Sequence, residues 1–203
     1  MKGFSDDDRE RIRDELVAEG QSLFSQFGLE RTRIKDITDA VGIGTSTFYQ
    51  FFDSKEELYG EVLLREHQQF RAEIDDAVEN ADSVREQIRA TLQTMFVEVD
   101  SSPLIYRLIV EGELRSLQAN MSEEEKEALV DQIYGNPLEQ IEAWTEHPQF
   151  RHDDPRTVNT LLRNLIFTSR SRNVIQRDGE KERDEAAREL MIDVVVDGLF
   201  VDE

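Results

Sequence analysis

The chain has 203 residues, enough for a small domain joined to a larger helical one, and its formal net charge is −21. It contains no cysteine, which excludes disulfides, thiol chemistry and cysteine-based metal sites. No apolar run reaches membrane-spanning length and no signal peptide is recognisable, so we expect a soluble, cytoplasmic protein.

A short amphipathic helix is predicted soon after residue 30. Ile34, Ile37 and Val41 recur at helical spacing, while the residues between them are polar. Thr32 is expected to cap the start of this helix, and Gly42 can take the positive φ that often ends one.

A second short helix is predicted at about residues 45–51, with either Thr45 or Ser46 as its cap. Its aromatic residues, Phe48 and Phe51 together with the following Phe52, provide one anchoring side. Hydroxyl groups suit phosphate oxygens, and an amide can pair with an adenine edge. The polar side chains are Thr45, Ser46, Thr47, Tyr49 and Gln50.

A capping box, Ser54-Lys55-Glu56-Glu57, predicts that a long helix starts here and continues to about Asn80. Lys55 lies in the first turn, where a cation opposes the helix dipole. Its position makes more sense if it holds a phosphate, which a helix N-terminus also attracts.

This order of caps, turn and helices resembles the DNA-binding domain of the TetR family of transcriptional regulators. The matching residues are Ile12, Leu16, Leu23, Phe24, Phe27, Gly28, Thr32, Asp36, Ile37, Val41, Gly42, Ile43, Thr47, Phe48, Tyr49, Phe52, Ser54, Lys55, Glu56, Glu57 and Leu58. The resemblance implies a helix-turn-helix domain in residues 1–56 and a domain for effector binding and dimerisation in residues 57–203.

The resemblance also implies roles for single residues. Thr47, Tyr49 and Lys55 match positions that hold phosphates. Thr45, Ser46 and Gln50 match positions that face bases or backbone, and Thr32 and Arg33 match further backbone contacts. The sequence departs from the family where Gly44 replaces a small polar residue and where Ser46 replaces a frequent glycine.

The acidity of the chain conflicts with DNA binding, for which a basic patch is usual. Residues 31–55, however, hold four basic residues against three acidic ones, a net charge of +1. Only five of the 24 basic residues are lysines. Abundant acid, little lysine and no cysteine resemble proteins of salt-in halophiles such as haloarchaea. In molar salt the Debye length falls to roughly 3 Å, so distant acidic residues would hardly affect the DNA-binding region. A merely acidic mesophilic protein is the alternative.

The rest of the chain is predicted to be all-α, with about nine helices in the whole protein. Helix starts are indicated at Ser83, at Ser102-Pro103, at Ser122, at Asn136-Pro137 and at Asp154-Pro155. No segment has the alternation of a strand.

The last two predicted helices carry apolar stripes. Such helices can pack internally, but the TetR resemblance implies that they pair with a second copy in a four-helix bundle. The candidate interface residues are Leu161, Leu162, Leu165, Ile166, Leu190, Met191, Val194 and Val195.

The resemblance further implies a cavity for an unknown small-molecule effector. The alternative for Arg107 is an ion pair with Glu111 four residues on, and Arg163 either forms an interface salt bridge or anchors an acidic ligand. The candidate lining residues are Met95, Phe96, Tyr106, Arg107, Tyr134, Trp144, Arg163 and Phe167.

The function predicted from the sequence is a homodimeric regulator, a repressor, that binds a double-stranded DNA operator and is released by an effector. No catalytic residues, cofactor or metal are expected, since no nucleophile–base pair is found and His67, His147 and His152 lack metal-ligand spacing. The alternative is an acidic protein-interaction module or DNA mimic, which explains the charge but not the hydroxyl-rich helix.

Overall fold

The computed structural model of the protein describes residues 5–109, 113–119, 121–134, 138–170 and 181–201. This part of the chain holds eleven α-helices and no strand, with one isolated bridge between Phe150 and Phe200. The helices are α1 (Asp6–Arg31), α2 (Ile34–Val41), α3 (Thr45–Phe48), α4 (Lys55–Glu79), α5 (Val84–Ser101), α6 (Pro103–Ile109), α7 (Glu113–Ala119), α8 (Glu123–Tyr134), α9 (Glu139–Thr145), α10 (Pro155–Arg170) and α11 (Lys181–Gly198).

The all-α prediction is confirmed. The count exceeds the expected nine because residues 103–145 form four short helices. Among the described residues, no helix is both long and apolar enough to pass through a membrane. No group of three or more His, Asp or Glu side chains in this described part is placed to hold a metal ion.

Local capping signals in the sequence predict most of the helix starts correctly. The Ser54 hydroxyl accepts from the Glu57 N–H at 3.0 Å, and the Ser83 hydroxyl accepts from the Glu86 N–H at 3.3 Å. Ser102 caps α6, with Pro103 at the first helical position, and the Asp154 carboxylate caps α10. The predicted start at Asn136-Pro137 lies outside the described residues.

The described chain divides into two compact packing units. Unit one comprises residues 1–68 and 102–133, and unit two comprises residues 69–101 and 134–203. The functional domains predicted from the sequence, 1–56 and 57–203, stay a prediction. Each unit has its own apolar cluster, so each is described separately.

Unit one packs α1 against α2, α6 and α7. Its core is built mainly from α1 and the start of α4, with single residues from α2, α3, α6 and α7. The buried members are Ile12, Leu16, Val17, Phe24, Leu29, Ile37, Phe48, Phe52, Leu58, Tyr59, Val62, Leu63, Leu104 and Leu117.

Unit two packs α5 against α10 and α11. A row of ion pairs joins α5 to α11 in antiparallel order: Arg85 to Asp197 at 2.9 Å, Arg89 to Asp193 at 2.6 Å, and Asp100 to Arg188 at 2.6 Å. Half-exposed pairs of this kind contribute little energy each. Their order shows that α5 and α11 run antiparallel.

Two of these arginines also stack on aromatic rings. The Arg85 guanidinium lies 4.3 Å from the Phe200 ring centroid, and that of Arg188 lies 5.1 Å from the Phe96 centroid. A planar guanidinium can stack and pair at once, which a lysine ammonium does less well.

Gly42 adopts a left-handed conformation, with φ of 79° and ψ of 28°, directly after α2. A side chain there meets no neighbour within 4 Å, so any cost of Gly42→Ala comes from the backbone alone. We expect this substitution to lower the free energy of unfolding by about 1 kcal/mol. Denaturant titration followed by circular dichroism measures it.

Gly60→Ala is the matched control, since Gly60 lies inside α4 and a new Cβ would only touch Leu129 at 4.0 Å. It should raise stability by up to about 1 kcal/mol. Equal effects of the two substitutions would contradict a special role for the Gly42 backbone.

Candidate nucleic-acid interface

The turn between α2 and α3 forms as the sequence predicts, but helix α2 has a different N-cap from the expected one. Gly42 ends α2, and the Ile43 N–H donates to the Thr38 carbonyl at 3.0 Å. The N-cap of α2 is Arg33, whose N–H donates to the Asp36 carboxylate at 3.1 Å. The expectation that Thr32 caps α2 is therefore wrong.

Helix α3 has only four residues, Thr45–Phe48, and Gly44 is its N-cap. The expected side-chain cap from Thr45 or Ser46 is thus absent, and the Gly44 carbonyl instead accepts from the Thr47 N–H at 2.8 Å. The next residues continue as tight turns, since the main-chain N–H of Gln50 donates to the Thr47 carbonyl at 3.0 Å. The predicted polar rod of residues 45–51 is therefore a short helix extended by turns.

Buried aromatic rings hold this short segment. Phe48 is fully buried and Phe52 is 3% exposed, and their ring centroids lie 5.8 Å apart. A helix this short has little stability of its own, so it depends on such packing. The aromatic anchoring predicted from the sequence is confirmed.

Two arginines of α1 reinforce the anchor, and sequence reasoning missed them. Arg9 lies 5.1 Å from the Phe51 ring centroid and donates to the Gln50 carbonyl at 3.3 Å. Arg13 lies 5.4 Å from the Phe52 centroid and pairs with Glu61 at 2.9 Å. Their spacing of four residues places both arginines on the same side of α1, but it does not show that Phe51 and Phe52 are their partners.

The anchoring leaves the polar side chains of the segment accessible. Thr45, Ser46 and Gln50 are exposed, Tyr49 is 53% exposed and Thr47 is half-buried. Arg33, at the start of α2, is exposed as well. The segment therefore presents hydroxyl and amide groups on a backbone that is fixed from behind.

Thr32 and Lys55 are placed differently from their expected DNA-facing roles. Thr32 is only 2% exposed, and its hydroxyl donates to the Gly28 carbonyl at 2.7 Å. The Lys55 ammonium donates to the Leu29 carbonyl at 2.6 Å and to the Thr32 carbonyl at 3.1 Å. Both side chains therefore close the end of α1, and their contacts with DNA stay predictions that this geometry does not favour.

Comparison with known proteins assigns this region. The family described as "Bacterial regulatory proteins, tetR family" matches residues 16–62, which run from α1 through α3 into α4. The match supports a relation to the TetR family, carried by the N-terminal part of the chain.

Two curated TetR-type relatives illustrate the match. The transcriptional repressor KstR2 of Rhodococcus jostii is 31% identical over 108 residues, which are 53% of this chain and 52% of that protein. The transcriptional activator FasR of Mycolicibacterium smegmatis is 28% identical over 105 residues, 52% of this chain and 48% of that protein. The chain thus spans about half the length of the curated relatives it matches.

Solved structures extend the likeness in fold to nearly the whole chain. A TetR-family regulator from Pectobacterium atrosepticum has a TM-score of 0.67 at 17% identity, covering 98% of this chain and 99% of that one. RolR, solved in complex with the ligand resorcinol, has a TM-score of 0.65 at 17% identity, covering 94% and 90%. At these identities the likeness establishes the fold alone.

The structure describes five of the eight side chains predicted to line a TetR-type effector cavity. Met95, Phe96 and Trp144 are buried in the core of unit two, and the Trp144 indole N–H donates to the Gln87 side chain at 2.9 Å. Arg163 is half-buried. The side chains of Tyr106, Tyr134 and Phe167, and the predicted partner Glu111, lie outside the described residues.

Arg107 lies in unit one and donates to main-chain carbonyls of α1. The acceptors are Ser25 at 3.2 Å and Gln26 at 2.9 Å. These partners lie 82 and 81 residues earlier in the chain, so no local sequence pattern predicts them.

The predicted dimer residues divide between two sides of their helices. Leu162 and Ile166 are buried in the core of unit two, and Leu165, Met191 and Val195 pack partly against it. The remaining three are exposed by 39% at Leu161, 63% at Leu190 and 63% at Val194. Only this second set is available to a partner.

Replacing Lys55 tests its structural role. Lys55→Met keeps the aliphatic chain but removes two hydrogen bonds to main-chain carbonyls, so it should lower the free energy of unfolding by roughly 1–3 kcal/mol. Lys35→Met is the control, since Lys35 is exposed and pairs only with its helix neighbour Asp39 across α2 among the contacts described. Denaturant titration of both variants decides the question, and wild-type stability of Lys55→Met would refute this role.

Proposed function

We propose that the chain is a homodimeric DNA-binding transcriptional regulator, a repressor, which a small-molecule effector releases from its operator. The observation that carries the proposal concerns residues 45–51, called the reading segment or α3 segment below. Their exposed hydroxyl and amide groups lie on a backbone anchored by buried aromatic rings in a TetR-like fold. The family match favours this function over an acidic interaction module.

In this proposal Tyr49 and Thr47 hold phosphates, and Ser46 and Gln50 face base edges. Hydroxyls and backbone N–H groups at phosphates set the register of a protein on the duplex, while an amide can pair bidentately with adenine. Arg33, exposed at the start of α2, adds a cation near the same surface. The helix is short, so one copy reads few base pairs.

A two-fold dimer would supply the missing specificity. Two reading helices set roughly 34–36 Å apart reach successive major grooves of a near-palindromic operator. The exposed Leu161 of α10 and the exposed Leu190 and Val194 of α11 support a dimer through these two helices, because large exposed apolar side chains favour burial.

The proposed release mechanism requires an effector that prefers a conformation unable to bind the operator. A coupling of about 3 kcal/mol, on the order of 150-fold in affinity, is typical of such regulators. RolR, with its bound resorcinol, supports a small-molecule effector by likeness of fold. Among the relatives, KstR2 is a repressor and FasR an activator. We propose repression, and a measurement of transcription from the operator decides between the two.

We further propose that binding operates in concentrated salt, as the acidic composition suggests. At about 1 M salt, charges more than roughly 3 Å apart are screened, so repulsion from distant acidic residues is small. Affinity would then rest more on hydrogen bonds and fit than on counterion release.

Tyr49→Phe tests the docking assignment by removing a single hydroxyl. The ring keeps its edge contact with Phe48, so stability should not change. Each dimer would lose two hydrogen bonds to phosphate, so affinity should fall at least roughly tenfold. Fluorescence anisotropy with a labelled duplex from upstream of the protein's own gene, in a KCl series reaching molar concentration, measures both affinity and its salt dependence.

Thr145→Val, which removes a hydroxyl outside the reading segment, is the control and should bind like wild type. Unchanged affinity of Tyr49→Phe would show that the α3 segment does not dock as assigned. A log–log salt slope as steep as that of mesophilic repressors would contradict the high-salt proposal while leaving DNA binding intact.

Val194→Asp tests the dimer. A carboxylate at this 63% exposed position should leave the monomer folded, while burying it in an apolar interface would be costly. We expect sedimentation velocity to detect a monomer. Val97→Asp, 64% exposed on α5, is the matched control and should remain dimeric. A dimeric Val194→Asp would place the interface elsewhere.

A further inference from the structure

Helix α1 is broken near its end, at Gly28. This residue has φ of 80° and ψ of 171°, outside the helical region, although the chain returns to helix and continues to Arg31. These backbone angles are open essentially to glycine alone, and a Cβ at Gly28 would also displace the Glu113 carboxylate. The break separates most of α1 from the turn that leads into α2.

Two charged side chains from later in the chain bind the main-chain groups at this break. In an unbroken helix the Leu29 N–H would donate to the Ser25 carbonyl. Here the Leu29 N–H donates to the Glu113 Oε1 at 3.0 Å, and the Ser25 carbonyl accepts from the Arg107 Nε at 3.2 Å. Arg107 also donates to the Gln26 carbonyl at 2.9 Å. An anion and a cation thus bond to the two ends of one interrupted helical hydrogen bond.

The second oxygen of Glu113 connects the break to α4. The Tyr59 hydroxyl donates to the Glu113 Oε2 at 3.0 Å, and the Tyr59 ring packs edge-on against Phe24 at 4.9 Å. Tyr59 is fully buried and Glu113 is 9% exposed. Burial, with Glu113 close by, raises the pKa of Tyr59 far above its ordinary value, so the phenol keeps its proton and donates.

The bonds beyond the break lead directly to the reading segment. The Thr32 hydroxyl donates to the Gly28 carbonyl, and Lys55 bonds to the carbonyls of Leu29 and Thr32. The next residue, Arg33, is the N-cap of α2. The direction in which the chain enters α2 and α3 is therefore determined by the geometry at Gly28.

We propose that Glu113 is a positioning residue for DNA binding, which sets the bend at Gly28 and thereby the orientation of α2 and α3 relative to α1. The proposal rests on the proposed regulator function. A buried carboxylate is a poor source of stability compared with an apolar group of the same shape. A fully bonded polar network instead fixes one geometry. Since Glu113 and Arg107 come from α7 and α6, the same bonds make the bend sensitive to those two helices.

The test compares Glu113→Ala with Glu113→Gln. Alanine removes both acceptors, whereas the glutamine amide can accept from the Leu29 N–H and donate to the Tyr59 oxygen. We expect Glu113→Ala to weaken binding of the operator duplex by roughly tenfold. Glu113→Gln should restore most of the loss. Ile88→Val, buried in unit two, controls for lowered stability and should bind DNA like wild type.

A distance measurement reads the orientation without DNA. Since the chain has no cysteine, Ala18→Cys on α1 and Ala40→Cys on α2, both exposed, can carry nitroxide labels. Double electron–electron resonance, with labelled protein diluted in unlabelled protein, should give one narrow intrachain distance for wild type and for Glu113→Gln. Glu113→Ala should give a shifted or broadened distribution of distances between the two labels. Tyr59→Phe, which removes only one hydrogen bond, should give an intermediate result and replaces Glu113→Ala if that variant does not fold.

The outcomes separate the two proposals. If the wild-type protein binds no duplex, the regulator function fails. If wild type binds but Glu113→Ala binds equally well with an unchanged distance, only the role of Glu113 fails. Loss of binding in both Glu113 variants and in Ile88→Val would identify Glu113 as a general stability residue and overturn its positioning role.

Discussion

A helix that is broken inside a folded unit leaves main-chain groups that need new partners, and this constraint organises unit one. The bend at Gly28 brings in Glu113 and Arg107 from α7 and α6, and Lys55 and Tyr59 from α4. Their bonds tie the end of α1 to three other helices. The α3 segment, too short to be stable alone, depends on this frame for its position and on Phe48 and Phe52 for its anchor.

The same constraint limits how cations near the reading segment can be used. Residues 31–55 contain four basic side chains, and one of them, Lys55, bonds to main-chain carbonyls. Lys35 pairs with Asp39 at 2.5 Å. Few positive charges therefore remain for phosphates, and hydroxyl groups have to supply much of the contact. Hydrogen bonds from hydroxyls depend less on ionic strength than the release of counterions does, which is consistent with an acidic protein that works in concentrated salt.

Features encoded by neighbouring residues could be predicted from the sequence, and features encoded by distant ones could not. The cap at Ser54, the left-handed Gly42 and the start of α10 after Asp154 each depend on residues within one turn, and all three were predicted correctly. Thr32 and Lys55 were assigned outward roles because their local pattern fits a cap and a phosphate contact equally well. Their actual partners are carbonyls at the end of α1, which have no donor within the helix, and the local pattern does not show that these two side chains supply one.

The last two helices show the same limit, because their sequence does not tell which apolar residues face the core and which face solvent. Both α10 and α11 carry more apolar residues than one buried side needs, and hydrophobic periodicity alone cannot assign each residue to a side. The structure makes that assignment: Leu162 and Ile166 belong to the core of unit two, whereas Leu161, Leu190 and Val194 remain exposed. Asp193 and Asp197, four residues apart on α11, lie on a third side of the helix and pair with arginines of α5. With one side packed inward and Asp193 and Asp197 paired with α5, Leu190 and Val194 are the large apolar side chains of α11 that stay exposed.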